Sequence, residues 1–362
     1  MAIAFRLSGF ISSDAHVAAS PLTELMSVLH ALAEPDHHFE SQTVLAGIAS
    51  SFDAVTLDEF RALSPLWARF RCRVFFPFDT APSQDLEEQL STLLGLPLES
   101  FVLLAAQGIY GYMRPLPTAD ELLTDGTARQ HFLGLCLARS TTRFELAEDL
   151  LRDPVTFRQR IIEFFRVCNN SFFREEWKIL HESIHQSVAV TASRLRSGGL
   201  LSVLPQLSVT AKAFPGLEEV RFDKLQHRTV NLVGRQLLLI PSVRIGSHLT
   251  IKDAPGYPVV IQYPAHQADE ERLGIQQIRG RLAALGSESR MELFRHISAE
   301  PITTSELSQR LGQNPAQVSR SLGILRDAGL VVSERRGKLV YHRINAAKVL
   351  SLGPDILSTL MR

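Results

Sequence analysis

The order of helix-capping residues near the C-terminal end constrains this chain more than any other feature. Thr303, followed three residues later by Glu306, can satisfy the free amides of a helix start, and Leu311-Gly312 closes that helix. Asn314 is a good N-cap and Pro315 a good first helical residue, so a second helix starts within three or four residues. It runs through Val318, Leu322 and Leu325 to Gly329. Two β-compatible runs follow, Leu330 to Glu334 and Leu339 to Ile344, joined across Arg335-Arg336-Gly337-Lys338, where the glycine permits a tight turn. Each piece alone is ordinary, since a helix pair usually serves a core and a charged hairpin is usually a solvated turn. Helix, short turn, helix and basic hairpin in succession are far more restrictive, and they read as a helix-turn-helix with a wing.

Burying Val318, Leu322 and Leu325 leaves Gln317, Arg320 and Ser321 towards solvent, with Gln313 and Asn314 at the helix entrance. Gln and Asn pair bidentately with adenine, Arg with guanine, and Ser with bases or phosphate. The expected partner is double-stranded DNA. Its contacts would come from Thr304, Ser305, Gln313, Asn314, Gln317, Ser319, Arg320 and Ser321, with Arg335, Arg336 and Lys338 of the wing supplying salt-sensitive phosphate affinity. Formal charge agrees: the whole chain is neutral, yet Arg272 to Arg343 carries about twice as many Arg and Lys as Asp and Glu.

A 362-residue chain with 45% hydrophobic and 21% charged residues is an ordinary globular composition, long enough for more than one core. Cys72, Cys136 and Cys168 are odd in number and form no C-x-x-C pair, which suggests neither a disulfide framework nor a cysteine-based zinc site. Arg6 falls inside what would be the apolar core of a signal peptide. No uncharged apolar run reaches the ~18 residues that span a bilayer. A cytoplasmic location, no membrane association and no cofactor are the resulting expectations.

The expected fold class is α+β, mostly α. From Pro21 to about Ser197 the apolar spacing is helical, as in Leu22, Leu25, Met26, Leu29 and Leu32, and eight prolines from Pro35 to Pro154 divide this stretch into short or medium helices. The longest helix is expected from near Phe172 to Leu195, ended by Gly198-Gly199. Short β-rich runs then predict a small antiparallel sheet over about 217–264. The polar stretch Pro264 to Arg272 gives the boundary: a body over 1–267, a candidate sensor or dimerisation domain, and a DNA-binding domain over 268–362. Phe75-Phe76-Pro77-Phe78, Phe164-Phe165 and Phe172-Phe173 either line an apolar pocket for a small-molecule effector or fill a core.

One motif competes. His181-Glu182-Ser-Ile-His185 matches the pattern in which two histidines one helical turn apart bind zinc and the glutamate acts as base, so a zinc-dependent hydrolase is the alternative reading. Against it, Ser183 stands where a large apolar residue is usual, and the helix carries no third ligand downstream. A solvated helix flank is the plainer reading of His181 and His185, and no enzyme activity is expected.

The run Ala284-Leu-Gly-Ser-Glu-Ser-Arg290-Met-Glu-Leu-Phe, then Thr304-Ser-Glu-Leu-Ser, then Gln317-Val-Ser-Arg-Ser-Leu-Gly-Ile-Leu-Arg-Asp-Ala-Gly-Leu-Val331, and finally Gly337 to Tyr341, resembles the ArsR family of bacterial repressors over about residues 270–350. Ser20-Pro-Leu-Thr-Glu24 and Gly234-Arg-Gln-Leu-Leu-Leu-Ile-Pro-Ser242 resemble an uncharacterised domain fused to such regulators in actinobacteria. The first resemblance implies a homodimeric repressor that binds an inverted-repeat operator and is released by a signal. Metal-sensing members use cysteines in the first helix of the motif, where this chain has Thr303, Thr304 and Ser305. The segment Ala346 to Arg362 lacks the Asp/His ligands of other members. That segment is expected to be a dimer-packing helix interrupted by Pro354.

Overall fold

The computed structural model describes residues 2–360 apart from 36–37, 39–41, 112–114, 209, 225–226, 247, 266–274, 300 and 338; the side chains at 42–43, 299 and 358–360 also lie outside the described set. The chain divides into two compact units, Met1–Glu270 and Glu271–Arg362. The architecture is mostly α with several small sheets.

The first unit opens with β1 (Ala2–Arg6) and β2 (Ala15–Val17) and continues into α1 (Pro21–Ala33), α2 (Gln42–Ser50), α3 (Ala54–Leu63), α4 (Leu86–Leu94), α5 (Leu98–Tyr110), α6 (Ala119–Thr124), α7 (Gly126–Leu137), α8 (Thr141–Arg152), α9 (Pro154–Cys168) and α10 (Arg174–Val203). Local chemistry sets the starts of these helices. Ser20, Asp53, Asp85, Thr118, Asp125, Ser140 and Asp153 each accept a backbone N–H in the first turn, and Pro21 and Pro154 occupy first positions where no amide is needed. The phenylalanine clusters fill the core between these helices. Phe75, Phe76, Phe164, Phe165 and Phe173 are buried; Trp67 stacks on Phe164 at 5.4 Å and Phe75 meets Phe165 at 4.9 Å. Burying each ring stabilises the body by about 1.5–3 kcal/mol. Most of these rings pack on one another, the core-filling alternative, while Phe76 and Phe78 also line a small pocket with Leu22, Pro77 and Gln89.

α10 begins two residues later than expected, after a π-type segment over Asn169–Phe173 that joins it to α9. Gly199, with φ 63° and ψ −171°, leaves helical geometry and ends the long helix where expected, and a second short helical stretch then runs on to Val203. Leu200, Val203 and Leu204, beyond this break, bury themselves in the next core.

The remaining strands are β3 (Ala211–Phe214), β4 (Glu219–Asp223), β5 (Arg228–Asn231), β6 (Leu237–Ser242), β7 (Thr250–Lys252) and β8 (Val259–Pro264). They do not make one antiparallel sheet. Two four-stranded sheets form, in the orders β3-β4-β1-β5 and β2-β6-β8-β7. Both are mixed, with β1 parallel to β5, and with β6 parallel to both β2 and β8. The physical reason is visible in β6 and β8, which are buried at every position. Leu238, Ile240 and Val260 face the helical core, whereas Leu237, Leu239, Val259 and Ile261 face a second core shared with the other sheet. Strands covered on both faces carry continuous apolar runs, the habit of parallel pairing, not the alternation of a half-exposed antiparallel sheet.

The second unit contains α11 (Ile275–Leu285), α12 (Glu288–Ala299), β9 (Ile302–Thr303), α13 (Thr304–Leu311), α14 (Pro315–Asp327), β10 (Val331–Arg336), β11 (Leu339–Ile344), α15 (Ala346–Leu350) and α16 (Leu352–Leu360). β10 and β11 pair antiparallel from Val331↔Ile344 to Arg336↔Leu339, and β9 adds a short third strand beside β11. Ala284, Leu293, Ile297, Ile302, Leu307, Val318, Leu322, Leu325, Leu330 and Val331 form its core. The expected terminal helix is split at Ser351 instead of at Pro354. Pro354 lies in the first turn of α16, where a missing amide hydrogen costs nothing.

Candidate nucleic-acid interface

α13 starts as its sequence demands: Thr303 Oγ1 accepts the Glu306 N–H at 3.3 Å, while the Glu306 carboxylate pairs forward with Arg310 at 2.6 Å. Gly312 closes the helix with φ 61°, a left-handed conformation that side chains resist. Two residues later Asn314 Oδ1 accepts the Ala316 N–H at 2.9 Å and starts α14. The turn therefore has length enough only to redirect the chain. Val318, Leu322 and Leu325 point into the core, and the opposite face of α14 presents Gln317, Ser319 and Arg320 to solvent, with Ser321 half-buried.

The structure sorts the remaining expected contact residues. Ser305 and Asn314 are exposed. Thr304 is half-buried and its hydroxyl meets His342 Nε2 at 3.0 Å, while His342 Nδ1 meets the Ser333 hydroxyl at 2.9 Å. One buried imidazole thus ties the start of α13 to both wing strands. Burial, reinforced by the charge of Arg326, holds this ring below the ordinary imidazole range, so it is neutral in the fold. Gln313 is half-buried and turns its amide towards Ser289 of α12 at 3.3 Å. Thr304 and Gln313 therefore support the motif from within, a role that spacing alone does not reveal.

The wing tip is exposed throughout its described length. Arg335 donates Nε to the Gly337 carbonyl at 3.3 Å, and Gly337 takes φ 63°. Arg336 pairs with Glu334 at 3.1 Å and lies 5.6 Å from the Tyr341 ring centroid. Hydrogen bonding to Arg336, then its charge, draws the Glu334 carboxyl below the usual range. Lys338 lies outside the described residues.

His181 and His185 do share one face of α10, with ring centroids 4.4 Å apart. His181 and Glu182 are exposed and His185 is half-buried. No third His, Cys, Asp or Glu joins them in a ligand-sized group among the described residues; the group that does form is His30, His38 and His248, all buried. Sequence reasoning missed that group because its members are separated by up to 218 residues. Among the described residues no single helix is long and apolar enough to cross a membrane.

A helix pair joined by a three-residue turn, with a polar outer face on its second helix and an arginine-tipped hairpin behind it, defines a winged helix-turn-helix. Residues 285–334 match the model of a helix-turn-helix domain. Over its greater part, the chain belongs to a family of unknown function, DUF5937, whose model matches residues 1–269. The HTH-type transcriptional regulator NmtR of Mycobacterium tuberculosis is 29% identical over 76 residues, which cover 21% of this chain and 63% of that relative. Among solved structures, an ArsR-like transcriptional regulator from Rhodococcus sp. RHA1 is 25% identical, with 21% of this chain and 73% of that one covered and a TM-score of 0.21. A homodimeric winged helix-turn-helix DNA-binding domain from Mycobacterium bovis is 24% identical, with 25% and 85% covered and a TM-score of 0.22.

Proposed function

We propose that the chain is a transcription regulator that binds double-stranded DNA through 268–362 and represses by occupying a promoter. α14 enters the major groove, where Gln317 and Arg320 read base edges, with Asn314, Ser319 and Ser321 at the margins of the contact. Ser305 and the wing residues Arg335, Arg336 and Lys338 grip phosphate. Thr304 and Gln313 position these elements. The observation that carries this reading is the two-sided character of α14: Val318, Leu322 and Leu325 are locked in a core while Gln317 and Arg320 are left outside.

The working form in this reading is a homodimer on an inverted repeat. α11 and α16 are joined by Arg281–Asp355 at 3.0 Å, and they leave Ile275, Leu282 and, on adjoining α15, Leu350 exposed. These apolar side chains suit a partner helix pair. The body over 1–267 then senses a small-molecule effector or another signal, and the chain carries out no catalytic step. NmtR's name as a transcriptional regulator supports the reading for the second unit.

The test is selection from a random duplex pool by purified full-length protein, with sedimentation of the complex. The expected outcome is an enriched palindromic sequence and a complex whose mass is that of the duplex plus two 40.3 kDa chains. Failure to enrich any sequence over random DNA would overturn the proposal, and a monomer on a single half-site would remove its dimeric part.

A further inference from the structure

Three histidines remote in sequence converge inside the first unit. His30 lies near the end of α1, His38 follows that helix, and His248 lies between β6 and β7. Their solvent exposures are 3%, 5% and 6%. One ring nitrogen from each falls within 4.8 Å of the other two. His30 stands edge-on to His38 at 5.1 Å and to His248 at 6.1 Å, and His38 and His248 are tilted at 5.3 Å.

The tautomer of His30 is set by its surroundings. Its Nδ1 lies 3.0 Å from the Trp67 carbonyl oxygen and 3.2 Å from that of Ala68, so this nitrogen carries the hydrogen and donates it. Nε2 is left as a lone pair, fully buried and without a hydrogen-bond partner. An imidazole whose other N–H is held by backbone carbonyls, with its bare nitrogen buried and free of a hydrogen bond, is the usual arrangement of a histidine that ligates a metal. Burial, then Arg71, then the two neighbouring imidazoles hold His30 well below its ordinary range, which keeps the ligand form.

The surrounding structure fixes the cluster. Glu24 accepts the Val243 and Arg244 N–H groups at 3.1 and 2.8 Å, and Arg244 reaches Glu176 at 2.7 Å, so the loop that carries His248 is tied to α1 and α10. Gly246 takes φ 64°, and a Cβ there would meet His38 Nδ1 at 3.2 Å.

We propose that His30, His38 and His248 form a binding site for a divalent first-row transition ion, with zinc the best fit to three imidazole nitrogens. Tetrahedral ligands 2.0–2.1 Å from zinc stand roughly 3.4 Å from one another, so small side-chain rotations close the observed spacing. Arg71, buried and donating to the Thr250 hydroxyl, adds positive charge near His30. A hydroxide or other anion in the fourth position offsets that charge. The ion clamps α1 to the loop after β6, and this role is independent of whether the second unit binds DNA.

The experiment is equilibrium dialysis of the chelator-treated full-length protein against Zn2+ and Co2+, followed by X-ray absorption spectroscopy of the zinc-loaded wild type. One equivalent bound in the first body, three imidazole nitrogens at about 2.0–2.1 Å and an intense tetrahedral Co2+ spectrum are expected. The variant carrying His30→Asn and His248→Asn is expected to lose at least the roughly 10–100-fold in affinity that follows removal of even an outer-shell partner. His181→Ala is expected to bind as the wild type does. No binding by the wild type overturns the proposal, as does an oxygen-rich octahedral shell. The wild-type spectrum decides the matter even if the double variant does not fold.

Discussion

Arg320 and Arg335 separate sequence reading from general affinity. Arg320 lies on the outer face of α14 and, among the described residues, makes only a 3.4 Å contact to the Ala316 carbonyl, so its guanidinium is available for a base edge. Arg335 projects from the wing and forms no ion pair with a carboxylate among the described residues, whereas Arg336 is partly compensated by Glu334. Arg320→Ala should cost about 1–3 kcal/mol on the selected operator and little on random duplex, while Arg335→Ala should weaken both and lower the salt slope by about one. Binding isotherms at several salt concentrations check this; equal losses on both DNAs for Arg320→Ala would mean that α14 does not read bases. His342 supplies a second residue-scale test. Its folded form is held below the reference value of 6.5, so the unfolded chain takes up a proton before the folded one does. The stability it contributes is complete above about pH 6.5 and is lost as pH falls through the folded value. Melting curves of wild type and His342→Gln should differ most near pH 8, with a gap that narrows towards pH 5. A gap independent of pH would sever the link.

The two faces of α14 should respond oppositely to truncation at the scale of the element. Leu322 is 5% exposed in the core of the second unit, and Leu322→Ala should destabilise that unit by about 2–5 kcal/mol. Ile324, two residues on, is 46% exposed, and Ile324→Ala should change stability by no more than about 0.5 kcal/mol. Chemical denaturation distinguishes the two, and comparable losses would place the helix in the wrong rotation. Elements with strong local signals were legible in the sequence. The caps at Thr303 and Asn314, the glycine at 312 and the arginine-tipped turn fixed α13, α14 and the wing to within a few residues, because each signal acts over one helical turn. β1, β2, β3 and β5 were not legible. These strands are three to five residues long and are strands only because partners distant in sequence pair with them: β4 with β1 and β3, β1 with β5, and β6 with β2.

Across the whole molecule, the first unit depends on charges buried at the joints between its helices and its sheets. Arg244 and Glu176 have side chains 13% and 10% exposed, and together they fasten the loop after β6 to α10. Glu176→Ala would leave the guanidinium buried without its partner, and a loss of about 3–5 kcal/mol is expected by calorimetry. A loss below about 1 kcal/mol would show that water reaches Arg244 and replaces the carboxylate. Such joints explain why the body was harder to read than the winged unit. Its helices are signalled by period and prolines, but nothing local says which helix meets which strand.

The sequence by itself determined what depends on neighbours along the chain: the helical body, the position and caps of the helix-turn-helix, the outward placement of Gln317 and Arg320, and the basic tip. Tertiary structure alone decided what depends on distant residues meeting. It made two mixed sheets where local alternation suggested one antiparallel sheet, and turned the phenylalanine clusters into core. It also drew Thr304 and Gln313 inward and assembled His30, His38 and His248. The reason is the range of the forces. Backbone capping and turn preferences act within about four residues, whereas burial is settled only when surfaces far apart in sequence exclude water together.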